Sequence, residues 1–245
     1  MKLNTIYNEN CLDTLSKIPD NFVNLVVTSP PYNKNKWIKT KKDKIKNKIS
    51  FTKIKYDSYD DSKEQEEYIK WQKKIISECL RILKPDGSMF YNHIDILSDL
   101  TTIHPNYIYD FPVKQIIIWD RSNTPKLDKN YFYPITEYIF WLKKSKDDKP
   151  KFDRQNCSFQ KCIWRITPDT KNNHPAPFPL KLVSNCVLSC TEKGDIVYDP
   201  FIGSGTTAVS CVIHDRKYIG SEISKNYIKM LEKRLKPHLQ QTKLF

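Results

Sequence analysis

The sequence predicts a doubly wound α/β fold, and two observations carry that expectation. Short apolar runs bounded by turn residues recur along the 245-residue chain, as strands covered on both faces require. Amphipathic helical patterns lie between them, so strands and helices alternate. Strands are expected at residues 23–27, 88–91, 115–119, 137–142, 196–198 and 217–221. In residues 64–83, Tyr68, Trp71, Ile75, Ile76, Leu80 and Leu83 repeat at helical spacing, and Pro85-Asp86-Gly87 ends the pattern. Residues 180–190, 206–213 and 226–235 complete the expected helices. Two segments break this rhythm. Residues 34–55 hold ten lysines and one acid, with Trp37 and Phe51 interleaved. Residues 143–173 are polar and aperiodic and read as a loop-rich insertion. The length suits a single domain over residues 1–245 that carries both segments.

Charge narrows the partners. There are 41 Lys+Arg against 28 Asp+Glu, a net +13, which favours a polyanion. No apolar run reaches the roughly 20 residues that span a bilayer, and no signal peptide is read at the N-terminus, so no membrane partner is expected. Seven cysteines, an odd number, point to free thiols and a cytoplasmic location. The pairs Cys157/Cys162 and Cys186/Cys190 lack the tight C-x2-C spacing of zinc sites, and no metal is expected. His93 and His174 are read as structural.

Two short motifs carry the chemistry. The strand at 23–27 runs into Thr28-Ser29-Pro30-Pro31-Tyr32. The prolines hold the backbone extended and lack N–H donors, leaving carbonyls to accept from a ligand, while Tyr32 offers a flat face at a strand's carboxyl end. Together these parts suit a planar group bearing an amine. The second motif is Asp199-Pro200-Phe201-Ile202-Gly203-Ser204-Gly205-Thr206-Thr207, a strand end, a Gly-x-Gly turn and a helix start. Glycines allow close backbone approach, and a helix N-terminus receives an anionic group. About twenty residues on, Tyr218-Ile219-Gly220-Ser221-Glu222 reads as a strand ending in an acid, placed to accept from ribose hydroxyls.

These motifs resemble those of the DNA amino-methyltransferases. Ser29-Pro30-Pro31-Tyr32 resembles their motif IV, in which the first side chain and the carbonyl after it accept from the target amine and the aromatic stacks on a flipped base. The string from Asp199 to Thr207 closely resembles motif I, whose loop wraps the methionine part of S-adenosylmethionine. Lys84 to Ser88, Trp119-Asp120-Arg121, Thr136 to Phe140 and His174 to Pro179 resemble motifs VI, VII, VIII and X. The proline-rich motif precedes the glycine-rich one by about 170 residues, an order similar to the β group of these enzymes.

The resemblance implies a Rossmann-like S-adenosylmethionine-dependent methyltransferase fold with a mostly parallel sheet, one antiparallel strand and a circularly permuted motif order. It implies S-adenosylmethionine as cofactor, with Asn10, Cys11, Thr28, Asp199, Pro200, Phe201, Gly203, Ser204, Gly205, Thr206, Glu222, Pro177 and Phe178 around it. Asn10 departs from the family, since many relatives carry Asp there. Ser29, Pro30, Pro31 and Tyr32 are the implied catalytic set. Lys34, Lys36, Trp37 and Lys39 are expected against double-stranded DNA. Residues 143–173 occupy the place of the target-recognition region, where Arg154, Gln155 and Arg165 are of types that read base edges. That region is short, which brings in other loops or a homodimer, and the restriction-modification character brings in a cognate restriction endonuclease. The implied reaction is methyl transfer to an exocyclic amine, at N4 of cytosine, which serine in the first motif position marks. N6 of adenine is the alternative, and an inactive DNA-binding relative a further one. Ring-carbon methylation would need a cysteine nucleophile, and the Pro-Cys dipeptide of those enzymes is absent.

Overall fold

The computed structural model describes residues 1–36, 56–97, 102–122, 132, 134–169 and 178–241. All six expected strands form, two more join them in one eight-stranded sheet, and a small two-stranded hairpin stands apart from it. In chain order the strands are β1 (Thr5–Tyr7), β2 (Val23–Thr28), β3 (Leu83–His93), β4 (Ile96–Leu97), β5 (Thr102–Ile103), β6 (Val113–Asp120), β7 (Thr136–Leu142), β8 (Ile163–Arg165), β9 (Ile196–Asp199) and β10 (Lys217–Ser221). The helices are α1 (Cys11–Lys17), α2 (Gln65–Ile82), α3 (Leu180–Cys190), α4 (Thr206–Ile213) and α5 (Lys225–Gln241). The sheet order is β1-β10-β9-β2-β3-β7-β6-β8, with β4 and β5 forming the hairpin. Every pairing in the large sheet is parallel except those of β7, which runs against both β3 and β6. The expected mostly parallel sheet with one antiparallel strand is borne out.

Period-two alternation divides the strands between two cores. Leu25, Val27, Phe90, Ile139, Trp141 and Val197 face one side, where α3, α4 and α5 pack. Val23, Val26, Met89, Tyr91, Phe140 and Tyr198 face the other, covered by α1 and α2. Helix α2 shows how the sequence dictates this. Tyr68, Gln72, Ile75, Ile76, Cys79 and Leu80 form one buried stripe, Glu66 and Glu67 sit in the first turn, and Arg81 in the last. Trp71 belongs to the same apolar spacing but is only partly buried, because it faces the cavity described below.

In the aperiodic segment 143–173, described as far as residue 169, loops predominate and one short strand forms. Its residues 163–165 form β8 on the sheet edge beside β6, with Trp164 buried and the Trp119 indole donating to the Ile166 carbonyl at 2.7 Å. Three residues are too few to show a strand period in sequence. The same segment supplies Lys144, whose ammonium donates to the Leu83 carbonyl at 2.8 Å and the Arg81 carbonyl at 2.9 Å, satisfying the end of α2. Residues 5–17 were also unforeseen as elements: β1 pairs with β10, and Asn10 caps α1 by accepting from Leu12 N at 2.9 Å. Of the lysine-rich segment 34–55, only Lys34–Lys36 lie within the described residues.

Strands β2 and β9 are neighbours although about 170 residues separate them. From β2 the chain crosses over through α2 to β3; from β9 it crosses on the opposite face through α4 to β10. Their carboxyl ends therefore flank a topological switch point, the place where open α/β sheets bind ligands. Packing beneath it is tight: a Cβ on Gly220 would lie 2.4 Å from Ile202 Cδ1. Gly220→Ala is expected to cost about 1–3 kcal/mol through overpacking, read as a lower urea midpoint. An unchanged midpoint would mean that Ile202 moves aside freely.

Candidate active site

Both motifs line one cavity of about 460 Å³ at the carboxyl edge of the sheet, within the roughly 300–1,000 Å³ of small-ligand sites. Ser29, Pro30, Pro31 and Tyr32 form one end of its wall; Asp199, Pro200, Phe201, Gly203, Ser204 and Thr206 form another. Asn10, Cys11, Phe178 and Glu222 also reach it. Gly205 and Thr28 are not among its lining residues; Thr28 bonds to the lining residue Asp199. Pro177, Trp37, Lys39 and His174 lie outside the described residues.

Asp199 ties the switch point together. Its Oδ1 accepts from Thr28 Oγ1 at 3.0 Å and from Phe201 N at 3.0 Å, and its Oδ2 from Thr207 Oγ1 at 2.6 Å. Burial pushes its carboxyl up to about 6 despite these donors. The loop that follows turns on Gly203 and Gly205, with φ of 50° and 84°. At Gly205 a side chain is also excluded by space, since its Cβ would lie 2.2 Å from Leu231 Cγ. Arg234 Nη1 holds the loop, donating to the Ser204 carbonyl at 2.7 Å. Thr206 Oγ1 donates to the Phe178 carbonyl at 3.1 Å, binding the expected motif X segment to the loop.

Glu222 lies just beyond the end of β10. Its Oε2 accepts from Gly203 N at 3.0 Å and its Oε1 from Ser224 N at 2.8 Å. Burial raises its carboxyl above the usual range, against the pull of these two N–H donors. Each oxygen retains lone-pair capacity for a ligand hydroxyl. The Asn10 carbonyl oxygen is committed to the α1 cap, so a bond to a ligand falls to its Nδ2. The Cys11 thiol is pushed up to about 12 by burial, which makes it a poor nucleophile.

The Ser-Pro-Pro-Tyr end is held from below and behind. Tyr68 Oη donates to the Pro31 carbonyl at 2.9 Å and lies 2.9 Å from His93 Nε2. Burial lowers the His93 imidazole to about 4, consistent with its expected structural role. Asp61, 1% exposed, clamps the exit of the motif, accepting from Asn33 N at 2.7 Å and Lys34 N at 3.0 Å. The Tyr32 ring is 7% exposed and packs on His93 at 4.9 Å, with Lys34 Nζ 5.2 Å from its centroid. Its hydroxyl is engaged with Ser29 at 2.6 Å and Glu137 at 3.1 Å, and receives Asn92 Nδ2. Burial lowers the Lys34 ammonium, and Lys36 is paired with Glu64.

Several residues of the cavity escaped the sequence. Tyr56, Tyr59 and Trp71 give it an aromatic wall, with Tyr59 stacked on Trp71 at 5.5 Å and Trp71 edge-on to Phe201 at 5.7 Å. Glu137 carried a usable signal, an acid in an otherwise apolar strand. The base-reading candidates separate in space. Lys151 N donates to the Asp86 carbonyl at 2.8 Å and Asp153 N to the Ser189 carbonyl at 2.7 Å, anchoring that stretch at the amino-terminal edge of the sheet. Arg154 and Gln155 therefore sit away from the cavity, whereas Arg165 ends β8 on the cavity's side, paired with Asp120 at 3.1 Å.

Fold and site together define the methyltransferase class of α/β enzymes, with its two motifs in permuted order around one switch point. A family model described as DNA methylase matches residues 23–233, and the chain belongs to that family. The type II methyltransferase M.BglII of Bacillus subtilis is 32% identical to this chain, covering 92% of it and 67% of its own length. The DNA adenine methyltransferase YhdJ of Escherichia coli strain K12 is 28% identical, covering 94% of this chain and 82% of its own. Among solved structures, the cytosine-N4-specific PvuII DNA methyltransferase superposes with a TM-score of 0.72 at 21% identity, over 95% of this chain and 86% of the other. A DNA modification methylase of Thermus thermophilus, complexed with S-adenosyl-L-methionine, gives 0.68 at 21% identity, over 95% and 93%. The structural likenesses establish the fold. Among the described residues no group of three metal-ligating side chains occurs, and no helix is long and apolar enough to cross a membrane.

Asp61 generates a pH prediction. Burial raises its carboxyl to about 6 against the pull of the Asn33 and Lys34 N–H groups, above an unfolded value near 4. The fold thus favours the protonated form: this contribution is complete below about pH 4 and is lost as pH rises through about 6. Asp61→Asn should remove on the order of 2–3 kcal/mol of that fall, seen in urea unfolding at stepped pH. An unaltered slope would exclude Asp61 as its source.

Proposed function

We propose that this DNA methyltransferase moves a methyl group from S-adenosylmethionine to the exocyclic amine of a base flipped out of double-stranded DNA, with N4 of cytosine preferred. The observation that carries the reading is that the glycine-rich loop and Ser-Pro-Pro-Tyr line the same cavity. Its residues fit the cofactor's chemistry. Glu222 offers a fixed acceptor for ribose hydroxyls, the aromatic wall suits a purine, and the Gly203–Thr206 loop admits a backbone-bound carboxylate. When bound, the cofactor supplies an electrophilic methyl group. The chain's own residues then position the amine. Ser29 Oγ and the Pro30 carbonyl accept from its N–H groups, favouring a pyramidal nitrogen and stabilising the charge that develops. The Pro31 carbonyl is turned away to Tyr68, which leaves the role to Pro30.

Stacking of the base on Tyr32 requires the Lys34 ammonium to leave the ring. Burial already disfavours its charge there, so a DNA phosphate is the better partner. Among those read as facing DNA, Arg165 is on the correct edge to reach it. The preference for cytosine rests on Ser29, the N4-type residue of the resembled family. Adenine N6 is the second reading, favoured by the adenine-methylating relative. A cognate nuclease belongs to the same restriction-modification reading, and a homodimer to the shortness of the target-recognition segment.

The test is to incubate the protein with mixed-sequence DNA and labelled S-adenosylmethionine, digest to nucleosides and identify the product by mass spectrometry. N4-methylcytosine is expected; N6-methyladenine would overturn the base assignment alone. Absence of any methylated nucleoside would favour an inactive DNA-binding relative. In the same assay Tyr32→Ala should lower transfer by about 100-fold or more while changing cofactor affinity little. Gly203→Val should instead weaken cofactor binding, measured by calorimetry; normal affinity would count against the loop.

A further inference from the structure

We propose that Glu137 sets the direction of the hydrogen bonds at the catalytic motif, so that Ser29 meets the target amine with lone pairs only. The inference rests on the methyl-transfer reading and adds a positioning residue to it. Glu137 lies near the start of β7 and is 6% exposed. A carboxylate buried there is costly unless its oxygens are paired. Its Oε1 accepts from Arg121 Nη1 at 2.9 Å; its Oε2 accepts from Asn92 Nδ2 at 2.7 Å and from Tyr32 Oη at 3.1 Å.

A carboxylate only accepts, so each of these three groups must donate to it. Tyr32 has a single O–H proton, and Glu137 consumes it. Ser29 Oγ lies 2.6 Å from Tyr32 Oη, and by distance alone either hydroxyl could donate. With the tyrosine proton already committed, the serine must be the donor. Its proton then points at Tyr32, and only lone pairs remain for the cavity.

Asn92 is fixed by the same logic. Both its amide hydrogens are used, one on Tyr32 Oη and one on Glu137, while its Oδ1 is buried without a partner. An orphaned acceptor of this kind carries a desolvation cost. Turning the amide over would set Oδ1 against the Glu137 oxygen, acceptor facing acceptor, and take both amide hydrogens from their partners. The observed orientation satisfies both amide hydrogens and leaves Oδ1 as the group without a partner.

A serine at this position needs such a device where a carboxylate would not. A hydroxyl can turn its proton toward an amine, hydrogen against hydrogen, and lose the acceptor role altogether. The sequence Arg121–Glu137–Tyr32–Ser29, anchored on a cation at its far end, removes that rotamer.

Two substitutions separate acceptor chemistry from shape. Glu137→Gln is nearly isosteric but can donate. Arg121 draws the amide oxygen to its own side, which sets the amide NH2 against Tyr32 Oη and against Asn92, whose own amide must turn over to accept, so that residue 137 no longer takes the tyrosine proton. Glu137→Asp is shorter but remains acceptor-only. In single-turnover methyl transfer to DNA, Glu137→Gln should slow the step about 10–100-fold, with cofactor Kd and Tm near those of the parent. Glu137→Asp should retain more of the rate than Glu137→Gln. The opposite order would overturn the proposal, because side-chain size would then govern. In a Tyr32→Phe background the connection is cut, and Glu137→Gln should add no further loss; an equal loss in both backgrounds would also overturn it. Methylation of DNA by the parent protein is measured alongside and carries the underlying reading separately, so a parent that is active and indifferent to Glu137 counts against this inference alone.

Discussion

Asp199 is the residue on which the geometry of the site depends. Its carboxylate joins the end of β2 through Thr28, the start of α4 through Thr207, and the backbone of the loop between through Phe201. Those three pieces come from opposite ends of the chain, and sheet pairing alone brings together only Leu25 with Val197 and Val26 with Tyr198. A buried carboxylate would be costly here without donors, and three donors offset that cost. Its position fixes both motifs at once, because Thr28 immediately precedes Ser29 and Thr207 closes the glycine-rich loop.

From that junction the cavity divides into two environments. At the glycine-rich end, Glu222 is held by two backbone N–H groups. The protein therefore presents an acceptor fixed by backbone groups. At the Ser-Pro-Pro-Tyr end, hydroxyls, an amide and a single carboxylate form a network that ends on Arg121. Asp61 and Tyr68 brace the backbone between them by bonding to Asn33, Lys34 and Pro31. A reaction that mainly needs two reactants aligned is well served by such a wall, since misplacement of either reactant is costly in rate.

Much of the architecture was legible because its signals are local. Apolar runs such as 23–27 and 137–142 announce buried strands, and the stripe from Tyr68 to Leu80 announces α2. The glycine-rich string was legible for the same reason, since Gly205 is required by its own backbone, with φ of 84°. What escaped was set by partners distant in sequence. β8 is three residues long and exists because β6 offers it an edge. Trp71 has a core residue's spacing and a cavity residue's place. Arg154 and Arg165 are chemically equivalent candidates in sequence, yet the backbone sends one to the amino edge of the sheet and the other to the carboxyl edge.

By itself the sequence determined the alternation of elements, the two motifs and their order, because strand period, proline stiffness and glycine freedom act within a few residues. Only the tertiary structure decided which groups share a hydrogen bond. The direction of the Ser29–Tyr32 bond is the clearest case. Nothing in Ser-Pro-Pro-Tyr says which hydroxyl donates; that is settled by a carboxylate 105 residues away that can only accept.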